Sequence, residues 1–568
     1  MAIRFTLNDE VVEVEPRGSR ETLLEALRGD LGVTSAKDGC APQGQCGCCT
    51  VLVDGRARVA CVTPLRRVAG RSVVTLEGLD KEVAATWAEA FAGHGASQCG
   101  FCTPGIIMRL EDRRRRRADE TGQAPGSGSG GDLRAEVERA LGAHLCRCTG
   151  WQGICEAACH VLDMPGGSGG SGSPVEQLPH GAPVAIEVRP DEARVRATLE
   201  GGHSQRMDPV VVLGGGGFAA DTAPGHALVA MRAADGGWVV AESLPEVRES
   251  AARVQGRRST LGAVPPLELP EGEWVATLRT SWVEPGYLET DASWCEPGGE
   301  PADPLANGGA FGGKLDSPLP GVARRLADAH DRAVLAIWTR EDTVRCGPKR
   351  PPVAAGMASD GTGTMRVAAA SEEFEAMRQA IQLAAPGLEA RPVELPGPPT
   401  SPGLRAAGWA EAFCLCVAAG VDSPLGGVDG DAVALELPSG ARARVRVVPG
   451  DPERDGAAAT PGTIEVDVQA GDVLSEPVLR SYVVGAVHMA AGWVTSEGLA
   501  VDADGEVQDL TIRSFGILPV SGLPHVSVSA DGSGEPVAVS DAVFVAAAAA
   551  IWRHHGFAGS WPLGTPVI

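Results

Sequence analysis

Apolar and polar residues alternate in Ile3-Arg4-Phe5-Thr6-Leu7 and again in Val11-Val12-Glu13-Val14-Glu15, with Asn8-Asp9 between the two runs. A period of two on both sides of a turn dipeptide predicts a β-hairpin. Residues 22–28 switch to helical spacing, with Leu23, Leu24 and Leu27 on one face. Thr50-Val51-Leu52-Val53 reads as a strand closed by Asp54-Gly55, and a further strand is expected over residues 57–62. Residues 1–78 are therefore expected to form a small β-rich unit. From residue 79 the period changes. Residues 83–91, 105–110 and 133–141 carry helical patterns, which makes 79–163 a helical unit. Beyond residue 175 strand-like runs and helices alternate, as expected of a larger α+β region that could hold two subdomains.

Two glycine-serine tracts punctuate this order. Residues 125–131 and 164–174 have nothing to bury and read as flexible connectors, as in a chain shortened from a longer one. At 568 residues the chain exceeds a single core and suits roughly three to four domains. Its 43% hydrophobic content fits a globular protein, and with 75 Gly and only 4% aromatics the core is expected to be built from small aliphatic residues. The net charge of −24 argues against nucleic acid and anionic membrane surfaces as partners. The one basic run, Arg113-Arg114-Arg115-Arg116-Arg117, is flanked by acids and reads as a solvated helix end or loop. No apolar leader follows Met1, and the longest apolar run, near residues 543–552, is too short to span a bilayer. The reading is of a cytoplasmic protein whose 15 cysteines serve metal or redox chemistry rather than disulfides.

The cysteines fall into two groups. Cys40, Cys46, Cys49 and Cys61 follow the spacing C-x5-C-x2-C-x11-C around Gly44 and Gly47, with Cys48 as an extra thiol. A glycine loop with a returning strand suits a [2Fe–2S] cluster, which takes four thiolates and amide N–H groups aimed at sulfur. A structural zinc site and incidental core cysteines are the alternatives. The second group joins Cys99 and Cys102, in Gln98-Cys99-Gly100-Phe101-Cys102-Thr103-Pro104-Gly105, to Cys146 and Cys148, in Leu145-Cys146-Arg147-Cys148-Thr149-Gly150.

These three segments resemble the paired iron–sulfur domains of the xanthine dehydrogenase/aldehyde oxidase family of molybdenum hydroxylases. The resemblance implies a multidomain α+β fold: a β-grasp ferredoxin-like domain over 1–78 and a four-helix [2Fe–2S] domain over 79–163. A shortened α+β molybdopterin-binding domain would occupy 175–568. It implies that Cys40, Cys46, Cys49 and Cys61 hold an outer cluster and Cys99, Cys102, Cys146 and Cys148 an inner one, and that Gln98 contacts a pterin. Downstream, Gly308-Gly309-Ala310-Phe311-Gly312-Gly313-Lys314 resembles the family's glycine-rich loop at the molybdenum, so Gly309, Ala310, Phe311 and Gly312 become cofactor-binding candidates. Trp338-Thr339-Arg340-Glu341-Asp342 and Lys349-Arg350-Pro351-Pro352 resemble the segment that follows it. Arg405, in Leu404-Arg405-Ala406-Ala407-Gly408, resembles an arginine-glycine element of the active site; a solvated arginine in a helix-start turn is the alternative. Gly532-Ser533-Gly534-Glu535 resembles the family's Gly-x-Gly-Glu, which implies Glu535 as general base. His488 is expected to be a core histidine, and residues 210–217 a plain loop rather than a phosphate cradle.

The implied activity is molybdenum-dependent hydroxylation of an aldehyde or N-heterocycle, with water as oxygen source. Electrons would pass through two [2Fe–2S] clusters to an external acceptor. No flavin domain is visible on this chain, so a separate flavin-binding subunit or another acceptor is implied, and a homodimer is compatible with the resemblance. Only a dozen residues separate Cys295 from Gly308, where the family has a longer stretch with a glutamine, and no Gly-Gln-Gly segment follows. The alternative is a two-cluster electron-transfer module whose downstream domain no longer binds molybdenum.

Overall fold

The computed structural model describes residues 2–18, 20–121, 130–164, 189–251, 261–305, 307–370, 374–450 and 462–568. Residues 122–129 and 165–188 are not among them, so most of both glycine-serine tracts lies outside the described residues.

The N-terminal sheet has five strands in the spatial order Glu10–Val14, Ile3–Leu7, Ser72–Val74, Thr50–Val53, Arg56–Val59. Both predicted turns are present. Asn8 and Asp9 lie at φ 47° and 68°, and Asp54 and Gly55 at 49° and 73°, the left-handed values that let a two-residue loop follow the strand twist. The helix Leu23–Gly29 starts at a reciprocal cap between Thr22 and Glu25. Its Leu23, Leu24 and Leu27 pack with Phe5, Val51 and Val73 in a core that also contains Cys49 and Cys61. The strand expected over 57–62 stops at Val59. Cys61 instead sits in the one-turn helix Ala60–Val62, which brings its N–H to Cys49 Sγ at 3.4 Å.

Four helices follow, Lys81–Gly93, Thr103–Thr121, Gly130–Leu141 and Gln152–Asp163. They bury Trp87, Phe91, Ile106, Ile107, Val137, Leu141 and Ile154 together. The arginine run corrects the expectation of a solvated end. It lies inside Thr103–Thr121, where Arg114 and Arg115 clamp the fully buried Glu111 at 2.7 and 2.8 Å. Arg116 reaches Asp112 at 2.9 Å, and Arg113 and Arg117 reach Glu136 on the neighbouring helix. Burial pushes the Glu111 carboxyl up, but the bonds from Arg114, Arg115 and Trp87 outweigh it and hold the carboxyl below its usual value. Arg113 and Arg117 tie this helix to its neighbour, while Arg114, Arg115 and Arg116 pair within their own helix and stay half-buried.

The downstream region contains three sheets among the described residues. A four-stranded sheet runs Trp238–Ala241, Leu228–Arg232, Val334–Ile337, Ala292–Cys295. A five-stranded sheet runs Leu388–Val393, Gly363–Ala368, Val353–Met357, Ala276–Thr280, Ser560–Trp561. A second five-stranded sheet runs Gly426–Asp429, Ala432–Glu436, Arg442–Val448, Thr463–Gln469, His525–Asp531. The long helices Glu476–Thr495 and Ser540–His554 pack on each other, and their Ala- and Val-rich faces share one core with the two five-stranded sheets. The apolar run near 543–552 is thus a buried helix. Among the described residues no helix is long and apolar enough to cross a membrane. The helical unit's core continues into downstream residues such as Trp282, Leu288, Leu510 and Phe515, so the cysteine-bearing part is embedded rather than appended.

Candidate functional site

All four thiols of the first group are buried, at 2% exposure or less. The loop that carries them turns its amides inward. Cys40 Sγ accepts from the N–H groups of Gln45 at 3.4 Å and Cys46 at 3.3 Å, and Cys49 Sγ accepts from Cys61 N–H at 3.4 Å. Side-chain bonds join Cys40 to Cys46, Cys49 to Cys61, and Cys40 to Cys61. Such sharing splits the thiols. Bonds donated by Cys46 and Cys61 hold Cys40 well below its usual value, while the bond to Cys40 pushes Cys61 well above. Gly47 is required twice over: φ is +78°, and a Cβ there would lie 2.4 Å from His144 Cδ2.

The second group gathers at two helix starts. Cys99 and Cys102 precede Thr103–Thr121, and Cys146 and Cys148 precede Gln152–Asp163. Both helices therefore present the positive ends of their dipoles to the sulfurs. Here too the thiols pair off. Cys148 Sγ lies 3.6 Å from Cys99 Sγ, and Cys102 bonds to Cys146. The bond from Cys102 holds Cys146 down to about 7. Two thiolates on one tetrahedral metal at ~2.3 Å stand ~3.8 Å apart, so Cys99 and Cys148 have the spacing of two ligands on one atom. Among the described residues no three His, Cys, Asp or Glu side chains converge on a single-ion position. A two-plus-two arrangement suits a binuclear centre better than one zinc ion.

The two groups are in direct contact through backbone. Leu145 N–H donates to Cys46 C=O at 3.0 Å, joining a residue next to Cys146 to one of the first group's own cysteines. A Cβ on Gly105 would lie 2.3 Å from Gly47 O and 2.8 Å from the Cys48 carbonyl carbon, so the first loop rests on the helix of the second. Cys48 is fully buried at this seam.

The glycine-rich loop lies against the second cysteine group. Gly309 has φ +81°, and a Cβ there would come within 2.8 Å of Cys99 Cβ and 3.0 Å of its sulfur. Asn307 Nδ2 donates to Cys99 C=O at 2.9 Å. Gln98 is buried close by, with Nε2 donating at 3.0 Å to both Cys148 C=O and Ser481 Oγ. Ala310 lines a cavity of ≈ 10 Å³ between this loop and the second cysteine group. Phe311 and Arg405 line a neighbouring cavity of ≈ 40 Å³. Gly312 packs where a Cβ would meet Gly403 O at 2.0 Å. Arg405 is not a solvated arginine: it donates to Asp541 at 3.1 Å, and its guanidinium lies 5.4 Å from the Phe311 ring centroid.

Glu535 stands apart. It is exposed in the turn that follows His525–Asp531, and it lines neither cavity. His488 is buried in Glu476–Thr495 with Nε2 3.1 Å from Leu518 C=O, the core histidine expected. Residues 209–217 begin with the short helix Pro209–Val212 and form no phosphate cradle at a long helix start. Sequence reasoning missed Arg147 and Glu497. Arg147 lines both cavities and binds Glu497 through two bonds of 2.5 and 2.7 Å, with side chains only 4% and 1% exposed. The position of Arg147 inside Cys146-Arg147-Cys148 was the available signal for it; Glu497 carries none.

Residues 75–159 match the [2Fe-2S] binding domain family. The chain is 41% identical over 148 residues to the nicotine 6-hydroxylase small subunit of Paenarthrobacter nicotinovorans, covering 26% of this chain and 80% of that protein. It is 36% identical over 170 residues to one subunit of a probable xanthine dehydrogenase of Bacillus subtilis, covering 30% of this chain and 90% of that protein. The chain belongs to the xanthine dehydrogenase/aldehyde oxidase family. It is accordingly an oxidoreductase of the molybdenum hydroxylase family with a [2Fe–2S] domain. The solved aldehyde oxidoreductase of Desulfovibrio gigas aligns over 97% of each chain with a TM-score of 0.65 at 14% identity, which shows a shared multidomain α+β fold.

Members of this family use a molybdenum–pterin group. Around the residues expected to hold it here, the cavities measure ≈ 10 and ≈ 40 Å³. Small-molecule sites usually need about 300–1,000 Å³. Gln98 already donates its amide N–H groups to Cys148 C=O and Ser481 Oγ. The residues as arranged do not fit that group.

Proposed function

We propose that this chain is an electron-transferring oxidoreductase carrying two [2Fe–2S] clusters. One is held by Cys40, Cys46, Cys49 and Cys61 in a ferredoxin-like domain over 1–78. The other is held by Cys99, Cys102, Cys146 and Cys148 in a four-helix domain over 79–163. The observation that carries this reading is the pairing of the thiols, Cys99 with Cys148 at 3.6 Å and Cys102 with Cys146. The clusters, when bound, supply one-electron carriers. The chain's own residues do the rest. Amides of Gln45, Cys46 and Cys61 aim at sulfur and stabilise its negative charge. The loop at Asn307 and Gly309 closes over Cys99. The Leu145 N–H bond to Cys46 C=O joins the two groups by a short covalent and hydrogen-bonded route.

Relatives include the small subunits of a nicotine 6-hydroxylase and of a nicotinate dehydrogenase, names that mark parts of multi-subunit enzymes. By that analogy the electrons pass to or from a partner, such as a flavin-binding subunit, with no flavin on this chain.

A second reading is favoured by one observation: Phe311 and Arg405 share a cavity with Arg147. In that reading the downstream domain takes the molybdenum–pterin group after rearrangement, Gln98 and residues 309–312 contact it, and Glu535 serves as base in hydroxylating an aldehyde or N-heterocycle. Metal analysis with the visible spectrum separates the two. About four iron atoms per chain without molybdenum support the electron-transfer reading. The same iron with about one molybdenum supports the hydroxylase. Zinc in place of iron overturns both.

A further inference from the structure

Cys48 lies between Cys46 and Cys49 in the first cysteine loop, yet it belongs to neither ligand set. It is fully buried, at 0% exposure. Its neighbour Cys49 packs in the core of the N-terminal sheet with Phe5, Val51 and Val73. Cys48 packs in the core of the helical unit instead, with Phe101, Cys102, Ile106 and Cys146. Two backbone contacts fix it there. Lys37 N–H donates to Cys48 C=O at 3.2 Å, and a Cβ on Gly105 would lie 2.8 Å from both the carbonyl carbon and the carbonyl oxygen of Cys48.

The Cys48 side chain is placed by its partners. It is bonded to the Cys46 side chain. Cys99 and Cys102 of the second group lie within electrostatic reach of it. The extra thiol therefore stands on the side of the first group that faces the second.

Metal loading decides which way the Cys46–Cys48 bond runs. Cys46 is joined to two side chains, Cys40 and Cys48. Once Cys40 and Cys46 are thiolates on iron, neither has a proton to give. Of the two thiols bonded to Cys46, only Cys48 then carries one. A thiol outside the ligand set and buried among apolar side chains stays neutral, because burial disfavours the charged form. The bond then runs from Cys48 S–H to Cys46 Sγ. A hydrogen bond to a ligand sulfur stabilises the negative charge that an added electron brings, and so raises the reduction potential.

We propose that Cys48 is a positioning residue for electron transfer, whose S–H donates to Cys46 Sγ and makes the cluster held by Cys40, Cys46, Cys49 and Cys61 easier to reduce. This rests on the two-cluster reading above. The step it favours moves one electron from the reduced second cluster, which is oxidised, to the first, which is reduced; no bond forms or breaks and no proton is transferred.

Redox titration of the full-length holoprotein, followed by electron paramagnetic resonance, tests it in wild type, Cys48→Ala and Cys48→Ser. Iron is assayed first. Both variants are expected to keep the wild-type iron content, because Cys48 is not a ligand. In Cys48→Ala the potential of the first cluster is expected to fall by about 59 mV or more, a tenfold change in a one-electron reduction equilibrium, while the second cluster keeps its value. Cys48→Ser retains a donor, and a hydroxyl is a stronger one than a thiol, so its first cluster is expected at or above the wild-type potential. An unchanged potential in Cys48→Ala overturns the proposal. So does a lowered potential in Cys48→Ser, the deciding variant if Cys48→Ala fails to fold. Loss of about half the iron in Cys48→Ala makes Cys48 a ligand and overturns its role as donor. A wild-type protein without iron overturns the cluster reading itself, a failure distinct from the others.

Discussion

The first 163 residues and the region after residue 190 solve opposite problems with buried polar groups. In the N-terminal part the buried sulfurs sit in two compact groups, each formed by two short segments. Downstream, buried charges distant in sequence close on one another, and one of them closes on Arg147 of the N-terminal part. Arg147 meets Glu497, Arg350 meets Glu411 at 2.8 Å, Lys349 meets Glu284 at 2.9 Å, and Lys314 meets Glu289 at 2.7 Å. One region keeps converging donors for a guest. The other spends its polar groups internally and leaves little room beside the second cysteine group. Ion pairs and aromatic rings packed at interior density leave little space for a guest, whereas sulfurs gathered on short loops stay convergent.

The comparison can be broken most severely at the sulfurs. Cys102→Ser or Cys146→Ser should remove one of two clusters, taking iron from about four to about two atoms per chain. Iron assay and the visible spectrum measure this. Retention of all iron in both variants would falsify the assignment of the second group.

Next in size is the buried pair that joins the regions. Arg147→Met leaves Glu497 charged and unpaired, and should cost about 3–5 kcal/mol in denaturant unfolding. Adding Glu497→Leu should recover a large part of that loss. If the double variant is as unstable as the single one, the pair is not what couples the regions.

A pH effect of about 3 kcal/mol is expected from His488. Burial lowers its pKa from 6.5 to about 4, with the nearby Arg147 charge acting in the same direction. The folded state therefore holds the ring neutral while the unfolded chain protonates below pH 6.5. This contribution is fully present above pH 6.5 and is lost as pH falls towards 4. His488→Asn should flatten that part of the stability–pH curve, measured by urea unfolding at several pH values.

Smaller still is Gly309→Ala. A methyl group at φ +81°, 2.8 Å from Cys99 Cβ, should cost about 1–3 kcal/mol and shift the spectrum of the cluster bound through Cys99. An unaltered spectrum would mean that the loop does not press on that cysteine. Thr22→Ala, which removes a helix cap far from either cavity, should cost about 1 kcal/mol and leave the spectrum as it was.

Local patterns carried the N-terminal β-rich unit well. The alternation in 3–14, the Asn8-Asp9 and Asp54-Gly55 turns and the cap at Thr22 act over a few residues, so their outcome is readable without the rest of the chain. The arginine run misled because its partner Glu136 lies on another helix, and because Glu111 is buried by packing that no local window reveals. For Arg405 the alternative of a solvated side chain could not be settled locally, because Asp541, 136 residues away, is what holds it.

By itself the sequence determined the positions of the eight cysteines, the helix starts that flank four of them and the glycines at 47 and 309, because spacing and backbone freedom are properties of short segments. Only the tertiary structure decided how those cysteines pair, that Leu145 bridges the two groups, and that Arg147 and Glu497 occupy the ground between the second group and the downstream core. It also decided that Glu535 faces solvent and that Cys48 packs into the core of the helical unit. Volume and burial depend on every chain segment that packs around a point, and no single stretch of sequence contains that sum.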